Sequence, residues 1–491
     1  MRKLLPGLLL ASGAFLLLSG CKVGPNYHRP DVPLAPAWKE EAPWRTANPK
    51  DSLSKGDWWS IFNDADLSQY ETQALKTNQT MEAARNQLLQ ARAAARISQS
   101  GLFPQFGAGA SAQRSRSSAN QPTVSGNPLA NAATQNTFNI PFTVNWEADI
   151  FGGVRRGAEA SNALYQAQAA SLENVRLLIT SELAVDYFSL RELDVEISVV
   201  ESAANYQEKA LRLVQNRHEG GVASGLDVAQ QETQLNATRT QATLLRQQRA
   251  QFEHAIAALV GVPAPVFTIA AKPLTAEPPV IPAGIPSDML ERRPDVAQAE
   301  RQMAAQNAQI GVARSAFFPS IGIFGSGGFE STDLTNLITA PSGFWALGAN
   351  VAQTVLNGGR RKAQLEFAQS GYDATVANYR QSVLTSFAEV EDGLSGLRIL
   401  AQAAQTQQQA VDAAQRALQI ATDRYTGGLV TYLDVVTAEQ ILLDNQRLAA
   451  QILRQRLVTS VGLVKALGGG WDAASLQAVQ VKATMKQAVQ P

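Results

Sequence analysis

The chain of 491 residues contains the same sequence pattern twice, and this internal repeat limits its possible folds more than any other feature. The stretch "NRHEGGVASGLDV" at 216–228 matches "DRYTGGLVTYLDV" at 423–435, with Gly-Gly and Leu-Asp-Val in register. Upstream, "SGLFPQFG" at 100–107 matches "SAFFPSIG" at 315–322. Each copy is about two hundred residues long, far more than the ~20 to 50 residues of a solenoid repeat. The pattern therefore predicts two large, similar halves of one structure.

Each copy is mainly helical, because Ala, Gln, Leu, Arg and Glu dominate its long segments. The predicted helices, in chain order, are about 67–100, 154–218, 226–260, 287–315, 359–426 and 433–467. At 1.5 Å per residue the long helix of each copy spans about 100 Å, and the two shorter ones together are nearly as long. An apolar seam with three- and four-residue steps, typical of a coiled coil, runs along the first long helix and is interrupted only by Gln207. The seam residues are Leu190, Leu193, Ile197, Val200, Ala204, Leu211 and Val214.

Each copy also contains two predicted strands. They lie at about 102–115 and 137–150 in the first copy and at about 317–329 and 343–356 in the second. Each has about ten or more residues, the length that a tilted strand needs to cross a membrane. The stretch "TFNIPFTVNWEADIF" alternates apolar and polar side chains, and we expect its polar face to line a lumen. That face consists of Thr137, Asn139, Thr143, Asn145, Glu147 and Asp149.

Four strands cannot close on themselves. In hydrocarbon every backbone group needs a partner, so an open four-stranded sheet would expose two unsatisfied edges and needs further chains to close it. Two chains would give eight strands with a filled bore, and three would give twelve strands with a lumen. The sequence alone does not choose three chains over four. The alternative to a membrane barrel is a soluble sheet packed on the helices. Pro141 weakens the pairing expected of its strand, because proline donates no backbone hydrogen bond.

The first twenty residues have the features of a secretory signal peptide. Arg2 and Lys3 precede an apolar run at 8–18 that is too short to span a bilayer. Cys21, the only cysteine, follows in "LLSGC", a pattern that resembles a bacterial lipobox and predicts lipid attachment. Lys22, rather than an aspartate, comes next, and this resembles lipoproteins that are sorted to the outer membrane. The alternative is an incidental cysteine after an ordinary signal. Without residues 1–20 the net charge is −2, so the chain has no basic surface typical of nucleic-acid binding.

Together these features resemble the TolC-like outer-membrane factor (outer membrane efflux protein) family, in the lipoprotein branch of tripartite RND-type efflux systems. The resemblance rests on "CKVGPNYHRP" at 21–30, the tandem copies, and the motifs at 217–228 and 424–440. It implies a homotrimer with a 12-stranded β-barrel in the outer membrane and a helical tunnel in the periplasm. Its implied function is passive conduction of exported small molecules, including drugs. Its implied partners are a periplasmic adaptor (membrane fusion) protein, an inner-membrane RND-type pump and outer-membrane lipid, with palmitate on Cys21 and no other cofactor.

The resemblance also divides the chain into segments. They are the signal peptide 1–20, an N-terminal equatorial segment 21–66, repeat 1 at 67–261, an equatorial linker 262–286, repeat 2 at 287–467 and an equatorial tail 468–491.

The turns between the long and short helices are the candidate functional sites. Their glycines permit tight helix reversal, and the resemblance adds adaptor docking at Gly220, Gly221, Val222, Ala223, Ser224, Gly427, Gly428, Leu429, Val430 and Thr431. It further implies that Arg424, Tyr425 and Leu433 form a periplasmic gate. Asp434 is a gate candidate as well, but Thr431 and Asp434 have capping-box spacing, and we favour capping over ion selection.

Little in the sequence indicates catalysis or metal binding. His28, His218 and His254 are far apart and have no companion at ligand spacing, and no nucleophile elbow or phosphate loop is present. We therefore expect no enzyme activity. Two alternatives to an efflux channel remain: a type I secretion channel for polypeptides, and a lipid-anchored periplasmic scaffold without a pore. The exported substrate, the identity of the pump and adaptor, and the resting state of the gate cannot be read from the sequence.

Overall fold

The computed structural model describes residues 22–31, 38, 39, 57–116, 118, 134–281 and 293–470. The chain forms two compact units. The first, or strand unit, contains the described residues within 1–30, 89–167 and 300–378. The second, or helical unit, contains those within 31–88, 168–299 and 379–491. Cys21, the predicted lipid attachment residue, and the signal peptide 1–20 lie outside the described residues.

Seven α-helices and five strands make up the regular structure of the described ranges. The helices are α1 (Ala65–Thr77), α2 (Gln79–Ser100), α3 (Gly153–Glu219), α4 (Gly225–Leu259), α5 (Pro294–Ser315), α6 (Arg360–Thr426) and α7 (Tyr432–Ala466). The strands are β1 (Gln105–Ala108), β2 (Ser111–Arg116), β3 (Thr134–Glu147), β4 (Ser320–Ser331) and β5 (Gly343–Ala352). Equivalent helices of the two repeats have equal lengths, 67 residues in α3 and α6 and 35 in α4 and α7. Within the described ranges, no helix combines the length and the apolar composition of a membrane-spanning segment.

The single helix predicted at 67–100 is wrong, because Asn78 divides it into α1 and α2. Asn78 has an extended backbone, with ψ of 126°, and its N–H donates to the Ala74 carbonyl at 2.9 Å. Its side-chain oxygen accepts from the Met81 N–H at 3.0 Å, which caps the start of α2. Its side-chain amide donates to the Leu259 carbonyl at 2.9 Å. The break therefore joins the two short helices to the end of α4.

The strand predicted at 102–115 consists of two shorter strands, and Pro141 of β3 explains the division. Both β1 and β2 pair with β3, and residues 109 and 110 between them have no partner in the β3 register. The Pro141 carbonyl accepts from the Gly109 N–H at 3.0 Å, but proline has no N–H to return a bond on that side. On the other side Pro141 opposes Gly328, where any side chain would collide with the Ile140 carbonyl. The predicted pairing therefore survives with one local interruption.

The sheet is antiparallel, with β1 and β2 along one edge of β3, followed by β4 and β5. It is thus four strands wide, as predicted, and its outer edges within the described residues are β1 with β2 and β5. Directly paired residues share a face. One face is apolar across the sheet and includes Phe106, Phe138, Ile140, Phe142, Val144, Trp146, Ile321, Ile323, Phe329, Trp345, Leu347 and Val351. The other carries Thr137, Asn139, Thr143, Asn145, Glu147, Ser326, Glu330 and Asn350.

Asp149 does not belong to this polar face, although the alternating pattern placed it there. Strand β3 ends at Glu147, and the Asp149 carboxylate accepts from the N–H groups of Val154 and Arg155 at 3.0 and 2.8 Å. It also pairs with the Arg155 guanidinium at 3.0 Å. A carboxylate at a helix N-terminus satisfies free N–H groups there. Asp149 therefore fixes the start of α3.

Residues 22–26 pack in the strand unit through Arg156, whose side chain is fully buried. Its guanidinium donates to the Val23 and Gly24 carbonyls at 3.2 and 3.1 Å and to the Asn26 side chain at 3.0 Å. Gly24 has a φ of +102° and lies so close to Gly311 of α5 that a Cβ on Gly24 would be 2.5 Å from the Gly311 Cα. The segment that follows Cys21 is therefore firmly held.

An aromatic core holds the helical unit together. The short 3₁₀ helix Trp58–Phe62 buries its rings near α3, where Phe62 lies 4.9 Å from Phe188 between ring centres. The Trp58 ring N–H donates to Thr180 at 3.1 Å, so its buried polar group is satisfied. These contacts attach the N-terminal part of the chain to the middle of α3.

Candidate functional site

The first helix reversal joins α3 to α4 through a Schellman motif. Gly221 has a φ of +74°, which favours glycine. Its N–H donates to the His218 carbonyl at 2.9 Å, and the Val222 N–H donates to the Arg217 carbonyl at 2.8 Å. These bonds satisfy the last carbonyls of α3, so the chain can reverse within a few residues.

A capping box then starts α4. The Ser224 N–H donates to the Asp227 carboxylate at 2.9 Å, and the Asp227 N–H donates to the Ser224 hydroxyl at 3.2 Å. The His218 ring nitrogen lies 2.9 Å from the Ala223 carbonyl. His218 therefore contacts the backbone of its own turn.

The second reversal joins α6 to α7 with the same geometry. Gly428 has a φ of +74°, its N–H donates to the Tyr425 carbonyl at 3.0 Å, and the Leu429 N–H donates to the Arg424 carbonyl at 2.9 Å. Thr431 donates from its N–H and its hydroxyl to the Asp434 carboxylate, at 3.0 and 2.7 Å. The Asp434 carboxylate therefore makes the capping contacts that its spacing predicts.

The two reversals pack against each other in the helical unit. Val214, Tyr425, Tyr432 and Val435 form a buried cluster, which we call the tip cluster. The rings of Tyr425 and Tyr432 lie 5.0 Å apart, and the Arg217 guanidinium lies over the Tyr425 ring at 4.7 Å. Burial raises the pKa of Tyr425, although Arg217 lowers it in part. The tip cluster therefore links the two repeats through Val214 and through the Arg217–Tyr425 contact.

Buried amide groups extend this link away from the turns. The Tyr432 hydroxyl donates to the Gln231 side-chain oxygen at 2.8 Å. The Gln231 amide in turn donates to the Gln207 backbone carbonyl at 2.8 Å. Burial raises the pKa of Tyr432, so its phenol stays protonated at neutral pH and remains a donor. Two hydrogen bonds that share Gln231 thus connect helices α3, α4 and α7.

The predicted gate residues occupy different environments in the single chain. Tyr425 is buried in the tip cluster, whereas Arg424 and Leu433 are exposed. Asp434 is exposed and bonded to Thr431. The structure thus brings Tyr425, but not Arg424 or Leu433, into contact with the opposite reversal.

The predicted docking residues divide in the same way. Val222 and Leu429 are 70% and 72% exposed, whereas Ala223 and Val430 are half-buried against the tip cluster. The turn glycines Gly220, Gly221, Gly427 and Gly428 are exposed, as are the cap residues Ser224 and Thr431. Each turn therefore presents one large apolar side chain beside exposed backbone.

The sequence analysis did not single out Tyr432, Gln231 or Arg217. A signal for Tyr432 was present, because it replaces Gly225 when the two turn motifs are aligned. No comparable signal identified Gln231, since glutamine is common throughout these helices.

Nothing in this region forms a metal centre. Among the residues that the structure describes, no group of three or more His, Cys, Asp or Glu side chains could hold a metal ion. The geometry of the reversals supports packing of the helices against one another.

Comparisons with known proteins agree with these features. The family model described as outer membrane efflux protein matches residues 72–262 and 285–469. The toluene efflux pump outer membrane protein TtgF of Pseudomonas putida is 31% identical over 470 residues, covering 94% of this chain and 96% of the relative. The pyoverdine export outer membrane protein OpmQ of Pseudomonas aeruginosa is 31% identical over 464 residues, with 94% and 96% covered.

The solved structure of the Campylobacter jejuni CmeC outer membrane channel superposes with a TM-score of 0.88 at 25% identity, covering 94% of this chain and 98% of CmeC. The predicted fold class, a TolC-like chain of two tandem repeats, and the predicted location in the outer membrane are confirmed by these matches. The chain belongs to the outer membrane efflux protein family and is an outer-membrane channel component of an efflux system.

Proposed function

We propose that three copies of this chain form one channel, with a twelve-stranded barrel made from three four-stranded sheets. The two free edges of the sheet, β1 with β2 and β5, carry this proposal. A sheet with an apolar face can remain in hydrocarbon only if its edges are paired. One copy's β5 pairing with the next copy's β1 and β2 would satisfy both edges and close a ring.

The two faces of the sheet support the same arrangement. Trp345 and Leu347 are 84% and 76% exposed on the apolar face of β5, which has no outer neighbour among the residues that the structure describes. Such side chains are stable when they contact lipid. The polar face, with Asn139, Asn145 and Glu147, would then line the lumen as a wet surface for passive conduction.

Mass and conductance test this proposal together. The mature protein in detergent should have three times the mass of the chain by native mass spectrometry, and it should conduct ions in a planar bilayer. A monomer that never conducts would support the scaffold alternative instead. A conducting assembly of four chains would contradict the trimer but retain the channel.

We also propose that Cys21 carries the lipid anchor. Lys22, the next residue, pairs with Glu159 at 2.5 Å, so the anchor would follow directly from a segment packed in the strand unit. Palmitate labelling of cells should mark the wild-type protein and leave Cys21→Ala unlabelled. Equal labelling of both proteins would refute the assignment.

The gate proposal concerns the second reversal. Arg424, Tyr425, Leu433 and Asp434 lie within eleven residues of one another along the chain, around a turn whose aromatic residue Tyr425 packs on the opposite reversal. We expect Tyr425→Ala to loosen this packing and to increase single-channel conductance. Unchanged conductance in both Tyr425→Ala and Arg424→Ala would exclude them from the gate.

The exposed apolar residues at the two turns support docking of a periplasmic adaptor, which would link the channel to an inner-membrane RND-type pump. We expect Val222→Asp and Leu429→Asp to abolish export in cells without changing the conductance of the purified channel. Val266→Asp is a matched control, since Val266 is 77% exposed and lies outside the turns. Normal export by both turn variants would contradict docking there.

The relatives named above are described as exporting toluene and pyoverdine, two chemically different compounds. A shared architecture with such different cargo fits a conduit that passes what the pump delivers. We therefore propose small-molecule efflux for this chain, with selection upstream of the channel. The segments 21–66, 262–286 and 468–491 are proposed as the equatorial region.

A further inference from the structure

A cavity of about 370 Å³ lies beside α3 in the helical unit, separate from the reversals. Its walls come from α3, α6 and α7 and include Ser202, Tyr206, Gln207, Leu418, Glu439 and Leu442. Its volume is within the range of ~300 to 1,000 Å³ that is typical of small-molecule sites. The residues that form these walls lie on one chain.

Two polar side chains in the cavity wall are buried without partners. Glu439 is 5% exposed and Gln207 is 1% exposed. Neither carboxyl oxygen of Glu439, nor the side-chain oxygen of Gln207, has a hydrogen-bond partner among the described residues. Gln207 is also the one position that interrupts the apolar seam of α3. Burying an acceptor without a donor is unfavourable, so three such oxygens beside a cavity point to a site for a donor ligand.

Two donors of the neighbouring helices already have other acceptors. The Tyr432 hydroxyl donates to Gln231, and the Gln231 amide donates to the Gln207 backbone. The Gln207 side chain lies close enough to Glu439 to lower its pKa, but the two side chains do not have the geometry of a hydrogen bond. Burial has the larger effect and raises the pKa of Glu439 to about 7. No charged side chain contributes to that pKa. The titratable groups of the cavity wall and the tip cluster are the phenols Tyr206, Tyr425 and Tyr432, and the Asp227 carboxylate acts on Tyr432 as well.

We propose that this cavity binds a protonated amine with a compact apolar or aromatic body, held by Glu439 and Gln207. A primary ammonium brings three N–H donors and a positive charge, which match three acceptor oxygens of which two belong to a carboxyl group. Leu442 and Leu418 contact the apolar body. A metal ion does not fit as well, because a single carboxylate without further ligands in the described wall is a poor site.

The protonation of Glu439 links amine binding to pH. Without a ligand, Glu439 holds a proton below pH 7. An entering ammonium replaces this proton, so binding needs the ionised carboxylate and releases up to one proton. The apparent affinity should fall about 30-fold between pH 8 and pH 5.5, in proportion to the ionised fraction.

The test uses the full-length mature protein in lipid nanodiscs and isothermal titration calorimetry with 2-phenylethylamine, with 2-phenylethanol as the uncharged control. At pH 8 the amine should bind saturably and at least ten-fold more tightly than the alcohol. Glu439→Gln should weaken amine binding at least ten-fold. Glu232→Gln, which changes an exposed glutamate of α4, should leave it unchanged. Titration at pH 6 in buffers of different ionisation enthalpy should report the released proton.

A second variant keeps the test independent of the charge change. Leu442→Trp fills the cavity and should abolish binding while Glu439 remains. Equal affinity of the amine and the alcohol, unchanged binding in Glu439→Gln, or no saturation at pH 8 would each overturn the proposal. Because binding is measured without ion flow, such a failure would leave the proposed channel function untouched.

Discussion

The Tyr432 hydroxyl donates a 2.8 Å hydrogen bond to the side chain of Gln231, a residue 201 positions earlier in the chain. Both side chains are buried, with Gln231 completely inaccessible and Tyr432 3% exposed. The bond joins the start of α7 in the second repeat to α4 in the first. It therefore connects the two helix reversals at a depth that water does not reach.

Tyr432→Phe should weaken this connection, because it removes the donor and leaves the Gln231 oxygen buried without its Tyr432 partner. The expected cost is about 1–3 kcal/mol. Hydrogen exchange should become faster in the amides around both reversals and stay unchanged in the sheet. Tyr372→Phe, on α6 in the strand unit, is the control. Unaltered exchange at the reversals in Tyr432→Phe would show that the bond contributes nothing to their packing.

Neighbouring glycines in the second reversal should respond differently to alanine. Gly428 has a φ of +74° with open space around it, so Gly428→Ala costs only backbone strain, about 1 kcal/mol. Gly427 has no positive φ, and Gly427→Ala should be tolerated. Thermal unfolding followed by circular dichroism measures both. The prediction fails if Gly427→Ala is the more damaging substitution, or if the two variants unfold alike.

The close contact of Gly24 with Gly311 should be sensitive to one added methyl group. A Cβ on Gly311 would lie 2.7 Å from the Arg156 Cγ, inside the site that holds residues 22–26. Gly311→Ala should therefore release this segment and make it accessible to limited proteolysis. Gly462→Ala is a matched helical control with nothing within 4 Å, and it should raise stability by up to about 1 kcal/mol. Resistance of the segment to protease in Gly311→Ala would contradict this role of the contact.

Glu439 should make the protein less stable as the pH rises. Its pKa is raised from 4.5 to about 7 in the folded chain, so the folded state keeps a proton that the unfolded state loses. Below pH 4.5 both states are protonated and there is no penalty. Between pH 4.5 and 7 stability falls, by up to about 3 kcal/mol for this group. Glu439→Gln should flatten the dependence of melting temperature on pH in that window.

The control for this prediction is Glu232→Gln, whose side chain is exposed on α4. Burial also raises the pKa values of Glu71 and Asp186, so some pH dependence should persist in Glu439→Gln. An identical slope in the wild type and Glu439→Gln would mean that Glu439 ionises normally in the folded chain.

The helices and the sheet were predictable because their signals are local. Helix composition and the repeated turn motifs indicated α3, α4, α6 and α7, and strict alternation indicated β3 with its two faces. The interruption opposite Pro141 could be predicted from the sequence, because every proline lacks a backbone N–H. The break at Asn78 was missed because it depends on a contact with Leu259, far along the chain.

The candidate site was predictable in position but not in its interactions. Glycine pairs located both reversals, and capping-box spacing correctly indicated that Asp434 bonds to Thr431. The tip cluster was not foreseen, because no local pattern states that Val214 of one repeat meets Tyr425 of the other. Burial of Glu439 is likewise a property of three packed helices, and its sequence neighbours give no sign of it.

The equal lengths of α3 and α6, and of α4 and α7, restrict which insertions and deletions the chain can accept during evolution. Inserting one residue into a helix rotates everything beyond it by about 100° and shifts it by 1.5 Å. That rotation would turn Tyr425 or Val214 away from its counterpart in the other half. Insertions and deletions should therefore accumulate between paired strands and between the two halves, while these four helices vary only by substitution.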